Sequence, residues 1–201
     1  MAHQTDEQLL KTYQNEGDTE AFRTLIARHQ EDLIRFLMRL TGDRQAAEDV
    51  FQETFLQVHI SADTFDPTRR FKPWLFTIAA NKARDLLRKR VRRQEVDLSA
   101  PINRGDEGGG QTFVDLMQVN APPPEEGLEA EERERLVQAA IDRMPLSLRE
   151  ILLLAYFQRL SYAQIAEELQ IPLGTVKSRL HSAVASFARH WNAVSEGISK
   201  K

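Results

Sequence analysis

The chain has 201 residues, enough for one medium domain or two small ones, with 41% hydrophobic residues and a formal net charge of −3. It has no cysteine, which excludes disulfides and thiolate metal sites and suits a reducing cytoplasm. Its five histidines lack a ligand-like spacing, no apolar run reaches the roughly 20 residues of a membrane span, and the N-terminus lacks the apolar core of a signal peptide. We therefore expect a cytoplasmic protein with no metal, no cofactor and no membrane insertion.

Helical periodicity dominates the first half of the chain, and no segment alternates convincingly as a strand does. Thr5 with Gln8 forms a capping pair for a first helix that we expect to end near Gly17. Gly42 marks the end of the second helix. That second helix is predicted at 18–41, and two more helices are predicted at 43–61 and 72–93.

Charge is distributed unevenly, so the near-neutral total is a cancellation. Between Arg69 and Arg93 lie ten basic residues against one acid, Asp85, whereas 94–135 carries eleven acids. The segment 95–126 also contains three consecutive glycines and three consecutive prolines and shows no helical pattern. This composition predicts a disordered acidic linker.

Helical signal resumes near Gly127, and Ser147 with Glu150 predicts a second cap before the C-terminal motif. The expected fold is all-α, with two small helical domains joined by a flexible acidic linker. The predicted divisions are a helical domain at 1–94, the linker at 95–126, a helix-turn-helix domain at 127–195 and a tail at 196–201.

The C-terminal motif is "YAQIAEELQIPLGTVKSRLHSA", at 162–183. Ser161 and Gln164 can cap a short helix, Pro172 cannot continue it, and a longer helix follows. Gln170 occupies the turn position where glycine is common, so we expect it to accept a positive φ. The second helix has an apolar stripe, formed by Val176, Leu180, Val184, Phe187 and Trp191.

The opposite face of the helix that follows Pro172 carries small side chains and positive charge. No acid interrupts 173–195, so this face can enter a major groove and approach phosphates without repulsion. The alternative is an ordinary helical hairpin with a solvated face. The helix-turn-helix pattern favours DNA reading.

The fourth predicted helix, "FKPWLFTIAANKARDLLRKRVRR", is basic on every side after Leu87, which calls for an anionic partner. Trp74 and Phe71, near the Phe65 loop, could stack on exposed bases, although burial statistics favour Trp74 as a core residue. Asn81 could bond a base edge or satisfy the backbone. A membrane surface fits less well, because the preceding helices look like a packed domain.

Three ordered stretches closely resemble the extracytoplasmic-function (ECF) group of bacterial RNA polymerase sigma factors. They are "AAEDVFQETFLQV" at 46–58, "FKPWLFTIAANKARDLLRKR" at 71–90 and "SYAQIAEELQIPLGTVKSRLHSA" at 161–183. The start, "TDEQLLKTYQNEGDTEAFRTLIARH", is similar to the same family. The resemblance covers nearly the whole chain apart from the linker. It implies that the chain binds core polymerase, directs it to promoters and helps melt the −10 region.

The resemblance also implies roles for particular residues. In the family the N-terminal domain binds core polymerase and the −10 element, and the C-terminal domain recognises the −35 element. Asp49, Gln52 and Glu53 would dock on the clamp coiled-coil of the largest subunit, and they share one helix face. A solvated acidic face is the alternative. The residues implied at the −10 element are Phe65, Arg69, Phe71, Trp74, Asn81, Arg84 and Arg88.

At the −35 element, the resemblance places Lys177, Ser178, His181 and Ser182 toward the major groove, with Thr175 and Arg179 on phosphates. Ser182 departs from the family pattern, in which an arginine is common. Regulation by an anti-sigma factor is common in the family, so such a protein is a candidate partner. The linker either mimics the charge of RNA or acts as a spacer.

Two other functions remain open at this stage. A stand-alone helix-turn-helix regulator would need a dimerisation surface or a ligand pocket, and the sequence shows no clear case of either. A DNA-processing enzyme would need a nucleophile or carboxylate set joined to a base or metal site, and no such constellation is evident. No catalytic residue is therefore predicted.

Overall fold

A computed structural model of the chain describes residues 4–97 and 130–196, so the predicted linker lies almost wholly outside the described residues. Both described parts are helical and contain no strand, which confirms the all-α prediction. A 3-10 turn (Ala62–Thr64) follows the third helix, and a π-helical turn (Leu153–Phe157) follows the sixth. The helices are α1 Asp6–Glu16, α2 Thr19–Thr41, α3 Arg44–Ser61, α4 Phe71–Asp97, α5 Ala130–Asp142, α6 Leu146–Leu152, α7 Tyr162–Leu169 and α8 Leu173–Ser195.

The helix ends in the N-terminal half follow local rules. The Thr5 hydroxyl accepts a hydrogen bond from the Gln8 amide at 3.2 Å, and the Gln8 side chain accepts one from the Thr5 amide at 2.8 Å. Gly17 and Gly42 follow α1 and α2 with φ values of 66° and 70°, the left-handed conformation that glycine adopts without steric cost. These predicted boundaries are confirmed.

The predicted cap formed by Ser147 and Glu150 is wrong. Pro145 precedes α6, and no side chain caps this helix. Instead the carbonyl oxygen of Pro145 accepts the amide hydrogens of Leu148 and Arg149, at 3.0 and 2.9 Å. Glu150 does not turn back to its own helix end, because it forms an ion pair with Arg84 of α4.

Helix α1 ties α2 and α4 together through two carboxylates. Asp6 accepts hydrogen bonds from Arg28 at 3.0 Å and from the ring of His29 at 2.7 Å. The hydrogen bond to His29 is the main reason that the pKa of Asp6 lies below its ordinary value, although burial opposes the shift. Glu7 accepts the amide hydrogen of Phe71 at 3.0 Å, so a carboxylate from another helix satisfies the first donor of α4.

The apolar core of the N-terminal helices fills the space between α2, α3 and α4. Phe36 and Phe76 are fully buried and meet edge to face, with ring centroids 5.3 Å apart. In the C-terminal half, the predicted apolar stripe of α8 packs inward, with Val176, Leu180 and Trp191 buried. Trp191 also belongs to a small separate cluster with Leu136 and Ala140 of α5.

Helices α1–α4 and α5–α8 pack against each other, a question that the sequence left open. One contiguous cluster of buried apolar residues includes members from both groups. At the C-terminal end of α2, Arg149 donates to the Leu40 carbonyl oxygen at 2.9 Å. Nearby, Arg39 pairs with Glu134 at 3.1 Å and lies 4.6 Å from the centre of the Phe157 ring. Within 4–97 and 130–196, no helix is long and apolar enough to cross a membrane.

Candidate polymerase and nucleic-acid interfaces

The outer face of α3 carries the residues predicted to dock on polymerase. Asp49, Gln52 and Glu53 are all exposed on this helix. The same stripe continues with Leu56 and Ile60, which are 58% and 65% exposed. Large apolar side chains that lie together on an exposed face mark protein interfaces. Neither was predicted as a contact from the sequence, although both lie outside the set of apolar positions that the same helix buries.

The three aromatic residues predicted at the −10 element form one cluster at the start of α4. The Phe65 and Trp74 rings lie 4.7 Å apart, and the Phe71 and Trp74 rings 6.0 Å apart. Phe71 is fully buried and Phe65 is 7% exposed, whereas Trp74 is half-buried. In this conformation Phe71 has no ring surface for a base, so it supports Trp74. The loop before it is held by Asp66, which accepts from the backbone amide and the hydroxyl of Thr68 at 2.9 and 2.7 Å.

Three predicted −10 residues share one face of α4. Asn81 and Arg88 are exposed, and Arg84 is half-buried between them. Their spacing of three and four residues places them along one line of the helix. The face therefore presents an amide and two guanidinium groups, which suits a base edge beside phosphates.

The helix-turn-helix consists of α7, the turn at residues 170–172, and α8. Ser161 and Gln164 form the predicted reciprocal cap, with hydrogen bonds of 3.2 and 2.8 Å. The predicted −35 face of α8 points away from the core. Lys177, Ser178, Arg179 and Ser182 are exposed, and Thr175 and His181 are half-buried. The Ser178 and Ser182 hydroxyls bond to backbone carbonyl oxygens within α8, both at 3.1 Å.

The turn places Gln170 in the left-handed region with φ 53° and ψ 43°, as predicted from its position. A side chain in this conformation costs about 1–2 kcal/mol. We therefore expect Gln170→Gly to stabilise the folded chain by about 1 kcal/mol. Ala163→Gly, within the same α7, is the matched control, because it should destabilise by about 1 kcal/mol. Urea denaturation of both variants measures the difference, and equal destabilisation would contradict the turn geometry.

Two of the predicted −10 arginines are held by carboxylates of the C-terminal helices. Arg84 makes two contacts to Glu150 of α6, one of them from Nε to Oε2 at 3.2 Å. Arg69 lies against α7, where its Nη2 contacts Glu168 Oε1 at 2.6 Å and its Nε lies 3.1 Å from Glu167 Oε1. No local pattern predicts these pairs, because Arg69 and Glu168 are 99 residues apart.

The carboxylates in these pairs differ in their surroundings. The side chains of Glu150 and Glu168 are each only 6% exposed, whereas that of Glu167 is 59% exposed. Burial raises the pKa of Glu168 above its ordinary value, and the attraction of Arg69 opposes this shift without cancelling it. The arginines face two buried acids and one solvated acid.

A cleft of about 1260 Å³ lies between the two helical groups. On one side it is lined by Asn81, Arg84 and Arg88 of α4, and on the other by Glu150 and Arg179. Residues from the predicted −10 face and from the predicted −35 helix therefore face the same space.

Comparison with known proteins adds two family matches. Residues 25–93 match the family described as Sigma-70 region 2, and residues 134–186 match Sigma-70, region 4. The ECF RNA polymerase sigma factor SigW of Bacillus subtilis is 32% identical over 165 residues, covering 82% of this chain and 86% of that protein.

Two solved structures are similar over both helical groups. CnrH, in complex with the cytosolic domain of CnrY, superposes with a TM-score of 0.65 at 25% identity, covering 94% of this chain and 99% of that one. The sigma factor RpoE of Bartonella quintana, in complex with the anti-sigma factor NepR, has a TM-score of 0.63 at 22% identity. That likeness covers 85% of this chain and 96% of the RpoE chain, and it shows the fold.

Proposed function

Because the chain belongs to the ECF family of RNA polymerase sigma factors, we propose residue roles for its contacts with core polymerase and with the two promoter elements. As a sigma factor it binds core polymerase, directs it to specific promoters and helps to melt the −10 region. The catalytic step belongs to the polymerase, and we place the chain with that enzyme in the cytoplasm.

The docking surface for polymerase is the α3 stripe, which comprises Asp49, Gln52, Glu53, Leu56 and Ile60. Two acids beside two exposed apolar side chains suit a basic, partly apolar partner, and the clamp coiled-coil of the largest subunit is the partner we assign. The exposure of Leu56 and Ile60 supports this assignment most strongly, because a solvated acidic face has no need of them.

The −10 element is contacted by Trp74 and by the polar face of α4. Once strands separate, an unpaired base can stack on the exposed part of the Trp74 ring, which Phe65 and Phe71 hold in place. Asn81 is placed to bond a base edge, and Arg84 and Arg88 to bond phosphates of the same strand. Arg69 adds a positive charge just before the first residue of α4. Phe65 and Phe71 act through Trp74 and are positioning residues.

The −35 element is contacted by α8. Lys177, Ser178, His181 and Ser182 are assigned to base edges in the major groove, and Thr175 and Arg179 to phosphates. Short hydroxyl side chains on this face allow close approach of the helix to the bases. A guanidinium facing a phosphate contributes affinity without sequence information.

These assignments predict different outcomes for two substitutions in α8. Arg179→Ala should weaken holoenzyme binding evenly across promoter sequences and reduce the slope of log affinity against log salt by about 0.9. His181→Ala should leave that slope nearly unchanged and alter the preferred bases in the −35 element. Selection of promoters from a randomised duplex library by the holoenzyme, followed by salt titration, measures both. Swapped outcomes would overturn the assignment.

An anti-sigma factor is the further partner we propose. The related RpoE fold was solved with the anti-sigma factor NepR, and CnrH was solved with a domain of CnrY. A protein that covers the α3 stripe would compete directly with polymerase. Competition between core polymerase and a candidate anti-sigma factor for the purified full chain tests this proposal. Displacement of polymerase supports it, and simultaneous binding of both contradicts it.

A further inference from the structure

A cavity of about 500 Å³ lies where the N-terminal ends of α1, α4 and α7 meet the turn that follows the π-helical segment. No residue that lines it belongs to the proposed polymerase or promoter contacts. We propose that this cavity binds a small phosphorylated molecule, with Arg70 and Arg159 holding the phosphate and Gln158 bonding the rest of the ligand. The inference goes beyond the sigma-factor function and does not depend on the roles proposed for α3, α4 and α8.

Positive charge predominates around the cavity. The basic residues that line it are Arg28, Arg70, Lys72 and Arg159, and the acidic residues are Asp6 and Glu7. Both acids already accept hydrogen bonds inside the chain. Asp6 is bonded to Arg28 and His29, at 3.0 and 2.7 Å, and Glu7 accepts the backbone amide hydrogen of α4 at 3.0 Å. An anion that enters the cavity therefore meets more positive charge than negative charge.

Arg70 and Arg159 are the cations of this cavity that have no acid of their own. Both are exposed, and neither forms an ion pair with any residue of 4–97 or 130–196. Arg159 has a φ of 54°, a left-handed conformation that glycine adopts freely and other residues seldom adopt. An unfavourable backbone conformation that carries an unpaired guanidinium favours a ligand from outside the chain. The planar fork of guanidinium donors fits a phosphate group.

The wall of the cavity also contains a buried amide without a partner. Gln158 is 8% exposed, and its side chain makes no hydrogen bond within the part of the chain that the structure describes. Buried polar groups are normally hydrogen-bonded, because an unsatisfied one costs free energy. The amide can both donate a hydrogen bond and accept one. Because Gln158 and Arg159 line the same cavity, one ligand can meet the amide and the guanidinium together.

The size and walls of the cavity favour a small molecule over a strand of nucleic acid. Small-molecule sites have volumes of about 300–1,000 Å³, and this cavity falls within that range. The starts of α1, α4 and α7 add the positive ends of three helix dipoles, which favour negative charge. No aromatic side chain of the described residues lines the cavity, so it offers no stacking surface for unpaired bases. The expected ligand is a phosphate ester with hydroxyl groups on its body, as in a sugar phosphate.

Calorimetric titration of the full chain with ribose 5-phosphate and with inorganic phosphate, at constant ionic strength, tests the site. We expect one molecule to bind per chain, and the ester to bind more tightly than the inorganic ion. Arg70→Gln/Arg159→Gln should lower the affinity for ribose 5-phosphate at least about tenfold, because charge-assisted hydrogen bonds are lost. Arg23→Gln/Arg143→Gln is the matched control. It removes the same charge at exposed positions outside the cavity and should bind as the unaltered chain does.

Two single variants separate binding from folding. Arg159→Gly relieves the left-handed conformation, so the melting temperature without ligand should rise by about 2–4 °C. The affinity of this variant for ribose 5-phosphate should nevertheless fall about tenfold. Gln158→Leu should keep the affinity for inorganic phosphate and abolish the advantage of the ester.

The site would be overturned if neither probe binds saturably, if only inorganic phosphate binds, or if the control variant loses as much affinity as Arg70→Gln/Arg159→Gln. It would also be overturned if neither probe binds while that variant loses affinity for a 16-nucleotide single-stranded DNA, since the two arginines would then be promoter contacts. Core polymerase binding is measured alongside and should be unchanged, because the α3 stripe is intact. Its absence in every variant and in the unaltered chain would count against the proposed function and leave the titration to decide the site.

Discussion

Asp49→Lys/Glu53→Lys is expected to lower the affinity for core RNA polymerase by about a hundredfold. The two substitutions reverse the charge at the centre of the α3 stripe, and like charges placed together at an interface cost several kcal/mol. About 3 kcal/mol corresponds to that hundredfold change. Both side chains are exposed, so the fold itself should tolerate the substitutions.

Co-elution with purified core polymerase measures the effect. Glu16→Lys/Glu20→Lys is the matched control, since it makes the same change of charge at exposed positions of α1 and α2. The control should bind as the unaltered chain does. Equal binding by both double variants would keep the sigma-factor function and move the main contact away from α3.

Phe71→Ala is expected to destabilise the chain by about 3–5 kcal/mol. Phe71 is fully buried, and its ring lies 5.4 Å from that of His29 and 6.0 Å from that of Trp74. Truncation to alanine therefore leaves a cavity under the proposed base-stacking residue, and costs of this size are usual for buried phenylalanine. Urea denaturation measures the stability, and run-off transcription measures the function.

Phe71→Leu separates packing from base contact at the same position. Leucine preserves most of the volume, so it should cost less than about 1.5 kcal/mol and retain most transcription. Trp74→Ala should destabilise the chain less than Phe71→Ala does, and it should greatly reduce promoter opening. A stable Phe71→Leu variant that fails to open promoters would mean that the Phe71 ring itself meets a base.

Local patterns predicted much of the fold because their partners lie within a few residues. The pairs Thr5–Gln8 and Ser161–Gln164 each close a single turn of helix, and Gly17 and Gly42 each end one. The same rule failed for Ser147 and Glu150. There a long-range ion pair to Arg84 replaced the local hydrogen bond, and no periodicity in the sequence reports such a partner.

The candidate sites were predictable in a similar, partial way. Helical spacing places Asn81, Arg84 and Arg88 on one face whatever the tertiary structure is. Whether a side chain on that face meets solvent depends on what packs beside it. The burial of Phe71, the exposure of Leu56 and the ion pair of Arg69 each depend on contacts made by other helices.

Run-off transcription by core polymerase, with and without this chain, is the most direct measurement of its function. The template is a promoter recovered by the holoenzyme from a randomised duplex library. We expect a transcript of defined start that depends on the chain and disappears with Asp49→Lys/Glu53→Lys. If no transcript depends on the chain while the chain alone shifts the same duplex, a stand-alone helix-turn-helix regulator would be the better description.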